Sequence, residues 1–262
     1  MAFRYKCVLL VGATSGIGAA MADKLVREGV KVIAVGRRQD RLDGFVRKHG
    51  TNRASGIRFD VTDRAGMDSF VNGVVEKYPD LDCVFLNAGM QTSIRLSRPE
   101  EVNLDAFHHE INTNFTSLVD LSIKFLVHLL KKDYPTGLII TGSHLSIIPA
   151  ATLPAYCASK AALRTFVDCL RKQNEKAKTK IIEISAPVVQ TELHDYLGEE
   201  QGRSMGMPVN EFVQKAYDKI SAGEEIVIIG PFFSEEKYMD VVTKRQQLLD
   251  GLSNMLLRHF EL

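Results

Sequence analysis

The sequence predicts an α/β fold, a single doubly wound domain over residues 1–262 with a parallel sheet of roughly seven strands and helices on both faces. Three observations carry this prediction. Seven short apolar runs, at residues 7–11, 30–35, 57–59, 83–86, 138–140, 181–184 and 226–229, are continuous rather than alternating, as strands covered on both faces must be. Amphipathic stretches separate them. In one, Met67, Phe70, Val71, Val74 and Val75 share a helical face that ends at Tyr78-Pro79. Strands and helices in this rhythm form βαβ units with right-handed crossovers. Finally, the first run enters a glycine-rich turn that opens directly into a helical pattern.

Composition narrows the class. With 45% hydrophobic residues, 262 residues can bury one sizeable core. A net charge of +1 gives no basic excess that would call for nucleic acid or an anionic membrane as partner. Cys7, Cys83, Cys157 and Cys169 form no CxxC pair, so neither a zinc site nor a disulfide framework is expected, and the chain reads as a reduced, cytoplasmic protein. The first six residues hold no apolar stretch of signal length. The longest apolar region, 117–130, is broken by Asp120, Lys124 and His128 and reads as a half-polar helix, not a membrane span. No histidines and acids cluster at ligand spacing, so no metal is expected.

The glycine turn is Gly12-Ala13-Thr14-Ser15-Gly16-Ile17-Gly18. Between a strand and a helix, glycines permit a tight turn, let backbone approach a pyrophosphate and let the helix pack close to the strand. The helix start then offers free N–H groups to the anion. The second strand runs into Gly36-Arg37-Arg38, with no acid at its end to hold a ribose 2′-hydroxyl. Arginines there suit a 2′-phosphate, each charge-assisted contact being worth roughly 1.5–3 kcal/mol. The cofactor expected is NADP(H).

Tyr156 and Lys160 lie four apart in a helical pattern and share a face. A neighbouring ammonium favours phenolate and eases proton donation to a carbonyl oxygen. Ser143 follows the fifth strand, where its hydroxyl can hold that oxygen. Asn114, in Ile111-Asn112-Thr113-Asn114-Phe115, puts a polar group where a helix core face should be apolar.

These residues in this order resemble the short-chain dehydrogenases/reductases of the classical type, over about residues 6–230. The resemblance rests on Gly12-x-x-x-Gly16-x-Gly18, Asp60-Val61, Asn87-Ala88-Gly89, Asn114, Ser143 and Tyr156-x-x-x-Lys160. It implies a Rossmann-type fold with Asp60 and Val61 at adenine and Asn87 steadying the central strand. It also implies Tyr156 as general acid/base and Ser143 as the residue orienting the carbonyl. Lys160 would hold the nicotinamide ribose and lower the tyrosine pKa, and Asn114 would support a proton-relay water. Arg37 matches the family's NADP(H) arginine, whereas Ser15 stands where many such members carry a basic residue. Val189 and Thr191 match nicotinamide-side positions, although Ala186-Pro187-Val188 lacks the glycine usual there. The family also implies a homodimer or homotetramer.

Segment 191–210 is expected to be a substrate lid, carrying Leu193, Tyr196, Leu197, Met205 and Met207. Residues 232–262 are expected to be a C-terminal helical extension. His144, His108, His109 and Cys157 read as packing or solvated residues. The reaction expected is hydride transfer between nicotinamide and a small ketone/aldehyde–alcohol pair. The alternatives are an isomerase or cyclase on the same scaffold and a non-catalytic cofactor sensor.

Overall fold

The computed structural model describes residues 3–230 and 234–260. Residues 1, 2, 231–233, 261 and 262 lie outside it, so the ends of the expected domain and part of the expected C-terminal extension fall outside the described residues. Along the chain run β1 (Cys7–Val11), α1 (Gly16–Arg27), β2 (Lys31–Gly36), α2 (Gln39–His49), β3 (Ala54–Arg58), α3 (Met67–Lys77), β4 (Cys83–Leu86) and α4 (Leu104–Ile111). Then follow α5 (Ser117–Leu129), β5 (Thr136–Ser143), α6 (Pro154–Gln173), β6 (Thr179–Ala186), α7 (Glu199–Ser204), α8 (Val209–Ala222), β7 (Ile226–Ile228) and α9 (Glu235–Phe260).

All seven strands pair in parallel in the order β3-β2-β1-β4-β5-β6-β7. The order reverses between β1 and β4, which opens a crevice at their carboxyl ends, where ligands bind in folds of this kind. Successive strand residues point to opposite faces. Val8, Leu10, Val32, Ala34 and Phe85 pack with Met21 and Leu25 of α1, Leu42 of α2 and Phe212 and Ala216 of α8. Leu9, Val11, Ile33, Val84, Leu86 and Ile140 pack on the other face with Val71 of α3, Leu121 and Phe125 of α5 and Leu163 and Val167 of α6. Two apolar layers therefore enclose one sheet.

Where strand limits differ from the apolar runs, burial explains it. β5 is eight residues long because Thr136, Gly137, Thr141, Gly142 and Ser143 are also buried and in register with β6. β3 is an edge strand with Ser55, Ile57 and Arg58 on its less covered positions, so its apolar signal is short and shifted. Asn114 lies in a π-helical turn, Asn112–Thr116, between α4 and α5. Such a widened turn rotates one residue relative to a regular helix and recurs at functional sites.

Phe125 anchors the helix that continues from this turn: it is fully buried and meets the Phe70 ring edge-on at 6.1 Å. Phe125→Ala is expected to cost about 3–5 kcal/mol of stability and Phe125→Leu about 1 kcal/mol. The shift in urea unfolding midpoint measures both.

Candidate active site

The carboxyl ends of the central strands hold the predicted residues. The Gly12 and Ala13 N–H groups both donate to the Val35 carbonyl at 2.9 Å, which folds the turn back against β2. Gly12 has φ +84° and Gly16 φ +54°, conformations that side chains rarely adopt. A Cβ on Gly12 would stand 2.6 Å from the Ala88 nitrogen, and one on Gly18 would overlap the Gly12 carbonyl oxygen. The turn is thus a cradle that only glycine leaves open. Ser15 precedes α1 in extended conformation without capping it through its side chain. The first N–H groups of α1 are therefore left for an anion, and a dinucleotide pyrophosphate fits this donor set. Thr14 packs against Gly36, where a Cβ would come within 2.5 Å of its methyl group, and Ile17 leans on the core beneath α1.

Around the cradle, Asn87 donates through Nδ2 to the Gly12 carbonyl at 3.2 Å and accepts through Oδ1 from the Thr141 hydroxyl at 2.9 Å. Asp60 accepts from the Thr62 N–H at 3.0 Å and the Thr62 hydroxyl at 2.8 Å, with Arg37 at 3.8 Å. Val61 is buried beside it, and Gly89 is exposed at the crevice. Arg38 does not stand free: it donates to Thr14 Oγ1 at 3.3 Å and to Glu192 at 2.8 Å.

The polar cluster lies at the end of β5. Ser143, Tyr156, Lys160 and Asn114 are 6%, 8%, 3% and 0% exposed, too dry for a set of ordinary surface pairs. Lys160 Nζ donates to the Thr141 carbonyl at 2.9 Å and sits 5.7 Å from the Tyr156 ring centroid. Asn114 makes two 2.8 Å hydrogen bonds with the Met90 backbone and donates to Ser159 Oγ at 3.2 Å. The Ser143 hydroxyl accepts from the Leu145 N–H at 3.1 Å.

Burial sets the proton affinities here. It pushes the Tyr156 phenol up to about 12, with hydrogen bonding from Ser143 pulling the other way. It pushes Lys160 down to about 8, opposed by the Glu183 carboxylate. Desolvation of the phenolate is the larger effect, and the hydrogen bond from Ser143 opposes it only in part.

Segment 191–210 forms a 3₁₀ turn, Glu192–Leu197, followed by α7. Its ends are pinned together: Val189 pairs with Met207, Gln190 N–H donates to the Met207 carbonyl at 2.9 Å, and Met207 N–H donates to the Val188 carbonyl at 2.9 Å. The missing glycine after Ala186 does not take the chain away from the cradle. Val189 is 2% exposed, and the Thr191 side chain lies 3.2 Å from where a Gly16 Cβ would stand.

Three further residues border the site without having been singled out by sequence. Glu110 of α4 is fully buried, and no group meets full hydrogen-bond geometry at its carboxyl oxygens. Burial pushes it up to about 7, with Thr92 pulling only partly against this. An acid one turn before Asn114 was the available signal. Glu192 sits in a polar loop and gave none. Tyr238 of α9 is buried, meets Ser185 Oγ at 3.2 Å and packs its ring 4.7 Å from that of His144. That contact is too distant in sequence to be foreseen. His144 itself is pushed down to about 4 by burial.

Comparison with known proteins agrees with this geometry. The family model for short chain dehydrogenases matches residues 6–202. An oxidoreductase of Bacillus subtilis (strain 168), DltE, is 33% identical over 220 residues, covering 83% of this chain and 85% of its own. The chain belongs to the short-chain dehydrogenase family. As a family member it is an oxidoreductase that works with a nicotinamide cofactor. A serine 3-dehydrogenase of Rhizobium radiobacter is 30% identical over 186 residues, 71% of this chain and 72% of that one. A short-chain dehydrogenase from Sphingobium yanoikuyae, solved with NADPH, superposes with a TM-score of 0.81 at 21% identity, covering 94% of this chain and 95% of that chain, a likeness of fold. Among the described residues of this dehydrogenase, no helix is long and apolar enough to cross a membrane.

Glu110 gives the fold a pH signature. Its folded pKa of about 7 lies above the ordinary 4.5, so between these values the folded state keeps a proton that the unfolded state has lost. The contribution of Glu110 to stability therefore falls as pH rises from about 4.5 to about 7 and levels off beyond, by roughly 3 kcal/mol. Glu110→Gln is expected to match the wild type near pH 5 and to exceed it at pH 8. Urea unfolding of both proteins at the two pH values measures this, and a difference between variant and wild type that does not change with pH would refute it.

Proposed function

We propose that this chain is an NADP(H)-dependent reductase or dehydrogenase acting on a small ketone or aldehyde and its alcohol. The observation that carries the reading is the dry cluster of Ser143, Tyr156, Lys160 and Asn114 beside the glycine cradle. Bound nicotinamide supplies or accepts the hydride. The chain's own residues handle position and proton. Ser143 holds the substrate oxygen, and the Tyr156 hydroxyl gives its proton to that oxygen or takes it back. Lys160, held at the Thr141 carbonyl, presents positive charge to the developing phenolate and to the nicotinamide ribose. Its depressed pKa of about 8 leaves it charged at neutral pH. The buried tyrosine favours the neutral donor, which suits carbonyl reduction. Asn114 holds the backbone at Met90, beside which it would support the water that relays protons from Lys160 to bulk.

The remaining assignments follow the cradle outward. Gly12, Thr14, Ser15, Gly16, Ile17 and Gly18 receive the pyrophosphate. Asp60 and Val61 border adenine, while Asn87, Ala88 and Gly89 border the nicotinamide half with Val189 and Thr191. Arg37 and Arg38 supply the charge for a 2′-phosphate, and no acid stands at the end of β2. Segment 191–210 acts as the substrate lid. A relative named for the dehydrogenation of serine, at 30% identity, supports an alcohol–carbonyl pair as substrate.

Two measurements test this. Tyr156→Phe is expected to lower kcat for NADPH-dependent reduction of a ketone panel by about 10²–10⁴-fold with NADPH binding retained. Tight NADPH binding with no ketone consumed, and indifference to Tyr156→Phe, would instead indicate an isomerase, a cyclase or a sensor. Arg37→Ala is expected to shrink the NADPH/NADH ratio of kcat/KM by about tenfold or more. An unchanged ratio would remove Arg37 from the phosphate site.

A further inference from the structure

Arg38 is the better partnered of the two arginines after β2, with two of its guanidinium nitrogens engaged. One guanidinium nitrogen reaches Glu192 Oε2 at 2.8 Å, and Nε reaches Thr14 Oγ1 at 3.3 Å. Arg41, one helical turn on, lies 3.7 Å from the other Glu192 oxygen. Glu192 belongs to segment 191–210, more than 150 positions away along the chain, and the residue before it, Thr191, rests against Gly16 of the cradle. The 3₁₀ turn is thus fastened across the mouth of the dinucleotide site at two points. Hydrogen bonding from Arg38, then the charges of Arg38, Arg41 and Arg203, hold the Glu192 carboxyl below its ordinary range, so it is an anion at neutral pH. Arg37, by contrast, is 71% exposed and only 3.8 Å from Asp60.

A carboxylate in a guanidinium fork makes the same charge-assisted, directional contacts as a phosphate. We propose that Glu192 holds the place of the cofactor's 2′-phosphate on Arg38, so that a phosphate-bearing dinucleotide displaces it and unfastens segment 191–210. This rests on the NADP(H) reading given above. A ligand with a 2′-hydroxyl offers Arg38 no anion and leaves the Arg38–Glu192 pair closed. A ligand with a 2′-phosphate exchanges one anion for another, and the released Glu192 frees the segment beside the substrate site. Glu192 is thereby a specificity-determining residue in two senses. It lowers NADP(H) affinity by competing for Arg38, and it makes opening of the segment depend on the phosphate rather than on the dinucleotide as a whole.

The test is a fluorescence titration of NADPH and NADH against the intact wild type, Glu192→Gln, Arg38→Ala and the double variant. Glu192→Gln is expected to tighten NADPH about three- to fivefold, since the pair is only partly shielded from water, and to leave NADH unchanged. With Arg38 absent, Glu192→Gln is expected to change nothing further for NADPH. Unchanged or weaker NADPH binding in Glu192→Gln overturns the proposal, weaker binding meaning that the pair persists as a clamp over bound cofactor. Equal tightening of both cofactors also overturns it, because the pair would then be a barrier indifferent to phosphate. Wild type that binds NADPH and NADH equally, with Arg38→Ala affecting neither, overturns the NADP(H) reading itself, an outcome distinct from the others. Glu192→Gln keeps the side-chain shape at a partly exposed position, and an unchanged melting temperature confirms that each variant is folded.

Discussion

A single amide side chain ties the two halves of the site together. Asn87 takes the Gly12 carbonyl with its nitrogen and the Thr141 hydroxyl with its oxygen, so it spans β1, β4 and β5 at the point where strand order reverses. Thr141 in turn offers its carbonyl to Lys160. The glycine cradle and the polar face of α6 are thereby fixed relative to one another through three hydrogen bonds rather than through loops. Neither end of the Asn87 amide can be lost cheaply, because a buried polar group left unpaired costs more than the bond it made. On the proposed reading, that chain of contacts would keep a dinucleotide and a substrate oxygen in one frame, which is the condition for efficient transfer between them.

Charge inside the protein is arranged around the same helix. Glu183 on β6 and Arg164 on α6 are 2–3% exposed and 3.8 Å apart. Asp168, one turn on, meets Arg171 at 3.1 Å and Arg245 of α9. Desolvation raises the proton affinity of Glu183, yet its carboxylate is what supports the charge on Lys160. A buried ion pair contributes little net stability, but removing one partner leaves an uncompensated charge. The far end of the network is α9, which is therefore joined to the core through ions as well as through Tyr238 and Val242. The C-terminal helix and the lysine of the candidate site are in this way parts of one electrostatic system.

Much of this was legible in the sequence because it is local. The seven runs became seven parallel strands, and the glycine spacing marked the turn, since both patterns follow directly from backbone geometry. Asn114 was visible as a polar residue on an apolar face, although the π-helical turn that carries it leaves no residue signature of its own. The end of β5 was hidden because Thr141, Gly142 and Ser143 are buried yet not apolar. What was not legible depends on contacts across the fold. The Arg38–Glu192 pair joins the ends of β2 and β6, the Tyr238–His144 contact joins α9 to the strand carrying Ser143, and no window of sequence contains either. Depth of burial is hidden for the same reason: spacing reveals a neighbouring lysine but not the desolvation that raises the tyrosine's proton affinity.

The pinned neck at Val189 and Met207 separates two kinds of change that a protein of this type must tolerate. Chain between those residues leaves the sheet and returns to almost the same point. Its length and composition are then nearly independent of the strand register, because the ends are already held and each doubling of such a loop adds only about 0.6 kcal/mol of closure entropy. Insertions or replacements between 193 and 206 can therefore alter that excursion without shifting the strands that hold Asn87, whereas Thr191 and Glu192, which touch the cradle and Arg38, are not free in this way. The neck thus separates the register of the sheet, which it fixes, from the course of the chain beyond it.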